Sequence, residues 1–366
     1  MIQRPRTAAW SRALLAILAV LAPCAQAQLA AGPLLDGLLR TRDLSAFGVL
    51  RLDMLPAHAL KAAPGTWTVE ASVGYQNTWS MSPNVEEYIQ GRGMRRRIGP
   101  AQVAAIRALP DGDKFLFDFE LGVVDVMFHR RLDENWSLYA QAGAIAYTGG
   151  FMDGPIENFH RTVGYRDYVR PALQRDRFAV VAELQGAHLE QFGAPSGGLL
   201  DPSFGARYET ASRYAPWNFI VEGALKAPLG GTRAFLSNGN VDLGLQATVQ
   251  RTFGRHAAHA AFATVYTRDG GLLGPLGRSW VPTATVGYEY AFGPDTALVG
   301  QVRASRNAID ASDTDLRAVL KTQVQAAAGI RHRVGASVFT LGFNEHLGSF
   351  NAMPDIELHL GWTHPL

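Results

Sequence analysis

Asp153, Glu157 and His160 stand four and then three residues apart. On a helix that spacing puts all three on one face, where they could ligate a divalent metal or pair a base with an orienting acid. Gly154 and Pro155 work against a helix there, and the alternative is a polar insert that hydrogen-bonds to its surroundings. His346 with Ser349 has the residue types of a base and a nucleophile, as in outer-membrane lipid hydrolases, but no acid stands in a recognisable place to orient the histidine. His256 and His259 flank a tight turn and read as interfacial polar residues rather than metal ligands. The chain has no Walker loop, no G-x-S-x-G elbow and no H-E-x-x-H. No catalytic residue, cofactor or metal is assigned.

The other residues able to do chemistry are charges that recur at every second position. Glu70, Asp118, Glu120, Glu222, Asp242 and Glu289 are acidic; Lys226, Arg303, Arg317, Lys321 and Arg331 are basic. A β-strand is the element that positions them, because its side chains alternate between two faces. In residues 67–76, Trp67, Val69, Ala71, Val73 and Tyr75 oppose Thr68, Glu70, Ser72, Gly74 and Gln76. Residues 217–226, 241–253 and 280–292 repeat the pattern. In residues 115–122, Phe115, Phe117, Phe119 and Leu121 oppose Asp118, Glu120 and Gly122. Such segments match the ~10-residue alternating strands of a transmembrane barrel, apolar toward lipid and polar toward the lumen. A soluble β-sandwich also alternates, but the inward charges argue against a dry core. The acids come mostly from the earlier strands and the bases from the later ones, so an open lumen would carry a transverse field suited to polar solutes.

Composition agrees with that architecture. Charged residues are 18% of the chain, against ~25% in ordinary soluble domains, and glycine reaches 38 residues. Residues 1–27 have the form of a signal peptide: Arg4, Arg6 and Arg12, an apolar run Ala13 to Ala22, and Ala25-Gln26-Ala27 before an expected mature start at Gln28. The run is too short to remain as a membrane anchor, and Pro23 before Cys24 makes a poor lipoprotein site. Cys24 is the one cysteine, so the mature chain is expected to have no thiol or disulfide. Export removes three arginines and no acid, which leaves the remaining charges nearly balanced. That balance gives no case for nucleic-acid binding, and Arg95-Arg96-Arg97 is a lone basic run. No apolar run after the signal is long enough for a spanning helix.

The expected fold is all-β: a closed antiparallel transmembrane barrel of about 14 strands, within 12 to 16. The count includes candidate strands at 86–97, 136–147, 178–189, 203–213, 315–331 and 337–346, with 315–331 also compatible with helical spacing. Residues 28–65 form an N-terminal periplasmic segment able to fill the lumen, and 66–366 the barrel, with an insert at about 148–177. Fourteen strands put that insert at the short-turn end, against the loop-length rule, unless one strand is miscounted. Ile356, Leu358, Leu360 and Trp362 alternate as a final strand read by the barrel-assembly machinery should, although the chain ends His364-Pro365-Leu366.

Three stretches resemble an uncharacterised proteobacterial outer-membrane barrel-like family, domain-of-unknown-function family 3187. They are Gly150-Phe151-Met152-Asp153 through Ile156-Glu157-Asn158-Phe159-His160 to Gly164; Lys226-Ala227-Pro228-Leu229-Gly230 with Ser237-Asn238-Gly239-Asn240-Val241-Asp242; and Phe343-Asn344-Glu345-His346-Leu347 with Pro354-Asp355-Ile356. The family's acidic turn after the first hairpin is replaced here by Gly91-Arg92-Gly93. The resemblance implies a Gram-negative outer-membrane location and no particular activity. The expected function is a channel for small polar solutes; the alternative is a non-conducting plugged barrel acting as scaffold or assembly partner, and the third reading a lipid-acting enzyme. Expected partners are outer-membrane lipid, the Sec and barrel-assembly machineries and a small polar solute, but no nucleic acid.

Overall fold

A two-residue period places every second side chain on one side of the backbone, so the alternating segments can shed their apolar groups outward only as strands. The structure, a computed structural model, describes residues 32–366 except 46, 60–61, 111, 165–168, 211–215, 269–272, 275, 311–313, 317–319 and 348–353. The expected signal peptide, Cys24, Arg317 and Ser349 lie outside the described residues.

The first eight strands are β1 (Trp67–Met81), β2 (Lys114–Arg131), β3 (Trp136–Thr148), β4 (Ala179–Leu184), β5 (Ala187–Phe192), β6 (Gly198–Leu199), β7 (Ser203–Glu209) and β8 (Trp217–Lys226). The remainder are β9 (Asp242–Phe253), β10 (His256–Thr267), β11 (Trp280–Ala291), β12 (Thr296–Arg306), β13 (Thr322–Val334), β14 (Ser337–His346) and β15 (Pro354–Pro365). Twelve of them form a closed antiparallel barrel in the order β1, β2, β3, β7 and on to β15, which returns to β1 with Tyr75 opposite Leu358. β4 and β5 form a hairpin on the leading residues of β2, Lys114–Asp118, and β6 pairs with β3. Closure leaves the wall no unpaired edge, which a sheet surrounded by hydrocarbon requires.

Two expected strands are not in this wall. Residues 86–97 begin inside helix α1 (Pro83–Gln90), whose first position is a proline and whose Val85 and Ile89, four apart, are buried. Helix α2 (Pro100–Arg107) follows and buries Val103 and Ile106. Residues 178–189 fall on the β4–β5 hairpin, and the 315–331 stretch is strand from Thr322 onward. With 86–97 helical, β1 and β3 run the same way. The insert therefore sits at the long-connection end, opposite Gly254-Arg255 and Gly335-Ala336, the side that follows once one expected strand is removed from the count.

The outer face carries a continuous belt of exposed apolar side chains, among them Trp217, Phe219, Leu243, Leu245, Phe262, Trp280, Leu298, Leu341, Phe343 and Leu360. So large an exposed apolar surface marks an interaction with membrane or partner. Inside, at the long-connection end, Leu44, Val49 and Leu50 pack with Phe117, Phe119, Leu121 and Leu276. A second cluster, Trp79, Met81, Val85, Ile89, Ile106, Leu116 and Val181, joins α1 and α2 to β1, β2 and β4.

Candidate functional site

The lumen is occupied by the chain's own N-terminal segment, residues 32–45 and 47–59. It enters at the short-turn end, where the Leu34 amide donates to the Gly293 carbonyl. It rises past β11, β12 and β13, turns near the 3-10 turn Gly48–Leu50, and descends along β9. The descent is regular: Asp242 accepts from the Leu52 amide at 2.8 Å, Gln246 donates to the Leu55 carbonyl at 3.0 Å, and Gln250 accepts from the Ala59 amide at 3.2 Å. Those wall residues stand four apart, so one face of β9 reads successive turns of an irregular chain. A segment with only one short 3-10 turn must satisfy most of its backbone groups elsewhere, and here polar wall side chains take several of them.

Most of the expected lumen charges lie along this path. The Glu289 carboxylate accepts from the amides of Asp36 (3.0 Å) and Gly37 (2.9 Å), lies 2.7 Å from His259 Nε2 and pairs with Arg331 at 2.9 Å. Arg331 also donates to the Leu38 carbonyl at 2.7 Å and to that of Gly37. Arg303 holds Asp53 through both terminal guanidinium nitrogens, at 2.6 and 3.1 Å. Glu70 pairs with Arg40 at 2.9 Å, and Asp125, absent from the sequence-based set, pairs with Arg42 at 2.9 Å. Glu222 takes Arg207 (2.7 Å) and Tyr139 (2.9 Å) within the wall. Lys226 donates to Asp201 and Asn238, both at 2.7 Å, and Asn238 passes on to Asp242. The Lys-Ala-Pro-Leu-Gly and Ser-Asn-Gly-Asn-Val-Asp stretches thus meet at one buried node that ends on the Leu52 amide. Gly287 is needed opposite this segment: a Cβ there would lie 2.4 Å from Leu38 Cδ2.

Between segment and wall at the short-turn end lies a cavity of about 140 Å³ lined by Asp36, Arg40, His58, Glu70, Gln141 and His359, among others. Its lining offers both signs of charge and imidazole nitrogens, a surface for a small polar molecule.

Other expected residues are placed differently. Asp118 and Glu120 were expected to face the lumen, yet on this half of β2 Phe117, Phe119 and Leu121 turn inward and the two acids turn outward. The reason is that β2 runs past the barrel rim, where helix α3 (Asp153–Val163) and the chain beside it cover its outer face. Glu120 is buried there, accepting from the Phe151 and Met152 amides and from Tyr75 and Asn77. Lys321 is exposed, one residue before β13.

The Asp153-Glu157-His160 spacing does form a helix. Asp153 and Glu157 are buried on it, but each carboxylate is taken by arginine: Asp153 by Arg170 at 2.5 Å, Glu157 by Arg95 at 2.5 Å and by Arg175. Arg170 also stands 4.8 Å over the Trp79 ring. Burial works to raise the Glu157 pKa, but the bonds from Arg95 and Arg175 outweigh it and hold the carboxyl at about 2. These carboxylates therefore position a loop. His346 is buried at the end of β14, and His256 packs with Tyr288 and Phe253 beside its turn.

The family model described as protein of unknown function (DUF3187) matches residues 14–366. Among curated proteins no sequence match is found. The crystal structure of an outer-membrane channel from Pseudomonas putida F1 superposes with a TM-score of 0.52 at 12% identity, covering 83% of this chain and 97% of that one. The NanC porin gives 0.43 at 7% identity over 81% and 100%, and the CymD monoaromatic hydrocarbon channel 0.39 at 9% over 93% and 99%. The first of these likenesses establishes the barrel fold.

Proposed function

Since the chain belongs to the DUF3187 family, whose description carries no activity, we propose that it is an outer-membrane channel for small polar solutes, closed by its own N-terminal segment. The exposed apolar belt supports the membrane location, and the charged inner wall supports passage of polar rather than apolar cargo. One observation carries the gate. The wall charges Glu289, Arg303, Arg331 and Asp242 each bond to the N-terminal segment, and the one pair among them, Glu289 with Arg331, also holds that segment's backbone. Removing the insert would leave a polar-walled passage. Its hold combines these polar contacts, which water can replace, with buried leucines that pack on small wall residues, such as Leu38 and Leu39 against Val299 and Ala327.

Planar-bilayer conductance of the full chain tests this reading. The unaltered protein is expected to stay mostly closed, with rare discrete openings. Arg303→Ala leaves Asp53 buried without its partner, a cost of about 3–5 kcal/mol, and should raise the open fraction many-fold. A folded barrel that remains silent in both forms supports the alternative, a permanently plugged scaffold.

A further inference from the structure

Helix α3 presents to solvent a stripe that nothing among the described residues covers. Phe151 just before it, then Phe159 and Val163 within it, are 63%, 58% and 48% exposed, and Met94 beside it is 69% exposed. The residues at 151, 155, 159 and 163, the second being exposed Pro155, fall at four-residue intervals, one side of a helix. The opposite side holds buried Asp153, Ile156 and Glu157. Around the stripe the surface is basic: Arg95 and Arg175 share the single carboxylate of Glu157, and Arg161 lies in the last turn. Arg96, Arg97 and Arg177 are exposed around an adjoining cleft of about 480 Å³, which Asp118 and Asp176 also line.

The level of this helix on the barrel follows from β1. Trp67 begins the strand's outward face near the short-turn end and Tyr75, stacked on Phe151 at 5.3 Å, ends it. Eight residues of tilted strand rise roughly 20 Å, close to the ~25 Å apolar band of such barrels. Helix α3 starts where that band stops.

We propose that α3 is an interfacial helix: its Phe159 and Val163 lie in the outer leaflet, and the neighbouring arginines bind the phosphates of an anionic lipid. This rests on the reading that the barrel spans a membrane. Charge complementarity selects the occupant, because an apolar stripe bordered by arginines suits a surface with hydrocarbon below and phosphate above, with arginine forking onto phosphate oxygens.

The test uses the full chain with Cys24→Ser, reconstituted in phosphatidylcholine vesicles containing lipid A. An environment-sensitive dye is attached at Phe159→Cys or, within the belt, at Phe343→Cys. Lipids brominated high on the acyl chain should quench both dyes. Quenching at 343 without quenching at 159 overturns the interfacial helix and leaves the barrel reading intact. Quenching at neither position overturns the barrel reading itself. Binding of bis-phosphorylated lipid A is then compared by native mass spectrometry with that of its dephosphorylated form. Arg96→Gln, Arg97→Gln and Arg177→Gln together should weaken the phosphorylated form on the order of a hundredfold, at about fivefold per arginine near an anionic surface. Equal binding by variant and parent overturns the phosphate site. A retained heat-modifiable gel shift confirms that each variant is folded.

Discussion

Glu157 is a carboxylate whose charge holds two loops to one helix. Its folded pKa of about 2 lies below the unfolded value near 4.5. The stabilisation it supplies is therefore complete above about pH 4.5 and is lost as pH falls toward 2. Amide protection factors across residues 153–163, corrected for the intrinsic exchange rate, should fall below that threshold in the native chain, and Glu157→Gln should abolish the pH step. A step that survives the substitution would assign the effect to another group. The spacing of Asp153 and Glu157 was legible as a shared helical face. Their partners were not, because Arg95 is 62 residues from Glu157 and only the fold brings them within 2.5 Å. Asp125 shares the odd-numbered face of β2 with Phe119 and Leu121, which the alternation had assigned to the apolar side, and its ion pair with Arg42 depends on the path of the N-terminal segment.

Among the elements, β2 departs furthest from what its alternation implies. Its Phe-Asp-Phe-Glu alternation was read correctly as a strand, but the two faces were exchanged. Period two says which residues share a face and not which face meets lipid. Inside the membrane an aromatic row turned outward is the usual answer, whereas above it α3 supplies cover for acids. Gly150 fixes that cover: its φ is +78°, and a Cβ would lie 1.7 Å from the Glu120 carboxyl carbon. Gly150→Ala should destabilise the α3 layer by about 1–3 kcal/mol, through left-handed backbone strain and loss of the Glu120 bonds. Urea titration followed by proteolysis at the insert measures it, and an unchanged midpoint would sink the link between Gly150 and Glu120. The same logic explains 86–97. Eight residues of α1 carry two buried side chains four apart, too short a run for its period to stand out from the strands around it.

For the whole molecule, the belt and the lumen make opposite demands on charge. Leu341, at the middle of β14 and 54% exposed, stands among outward apolar neighbours. On the membrane reading, Leu341→Arg should cost roughly 2–4 kcal/mol in lipid bilayers and little in a detergent micelle that can bend around the charge. An equal cost in both media would indicate packing against protein instead of lipid.

Strand alternation, low charge and abundant glycine pointed to an antiparallel barrel and marked Glu70, Glu222, Lys226, Asp242, Glu289, Arg303 and Arg331, but not Asp125, Arg207 or Glu357, as polar wall positions. Those properties are local: each strand carries its own two-faced pattern, and an exported chain with such strands has few ways to bury their polar edges other than closure. Tertiary structure decided the rest. Whether the lumen is empty or filled depends on where residues 32–59 run, and no local period encodes a segment without regular structure. The twelve-strand count and the side of the insert were likewise set by closure, since β2 must pair β3 and β15 must return to β1 before any helix or hairpin can be told apart from the wall.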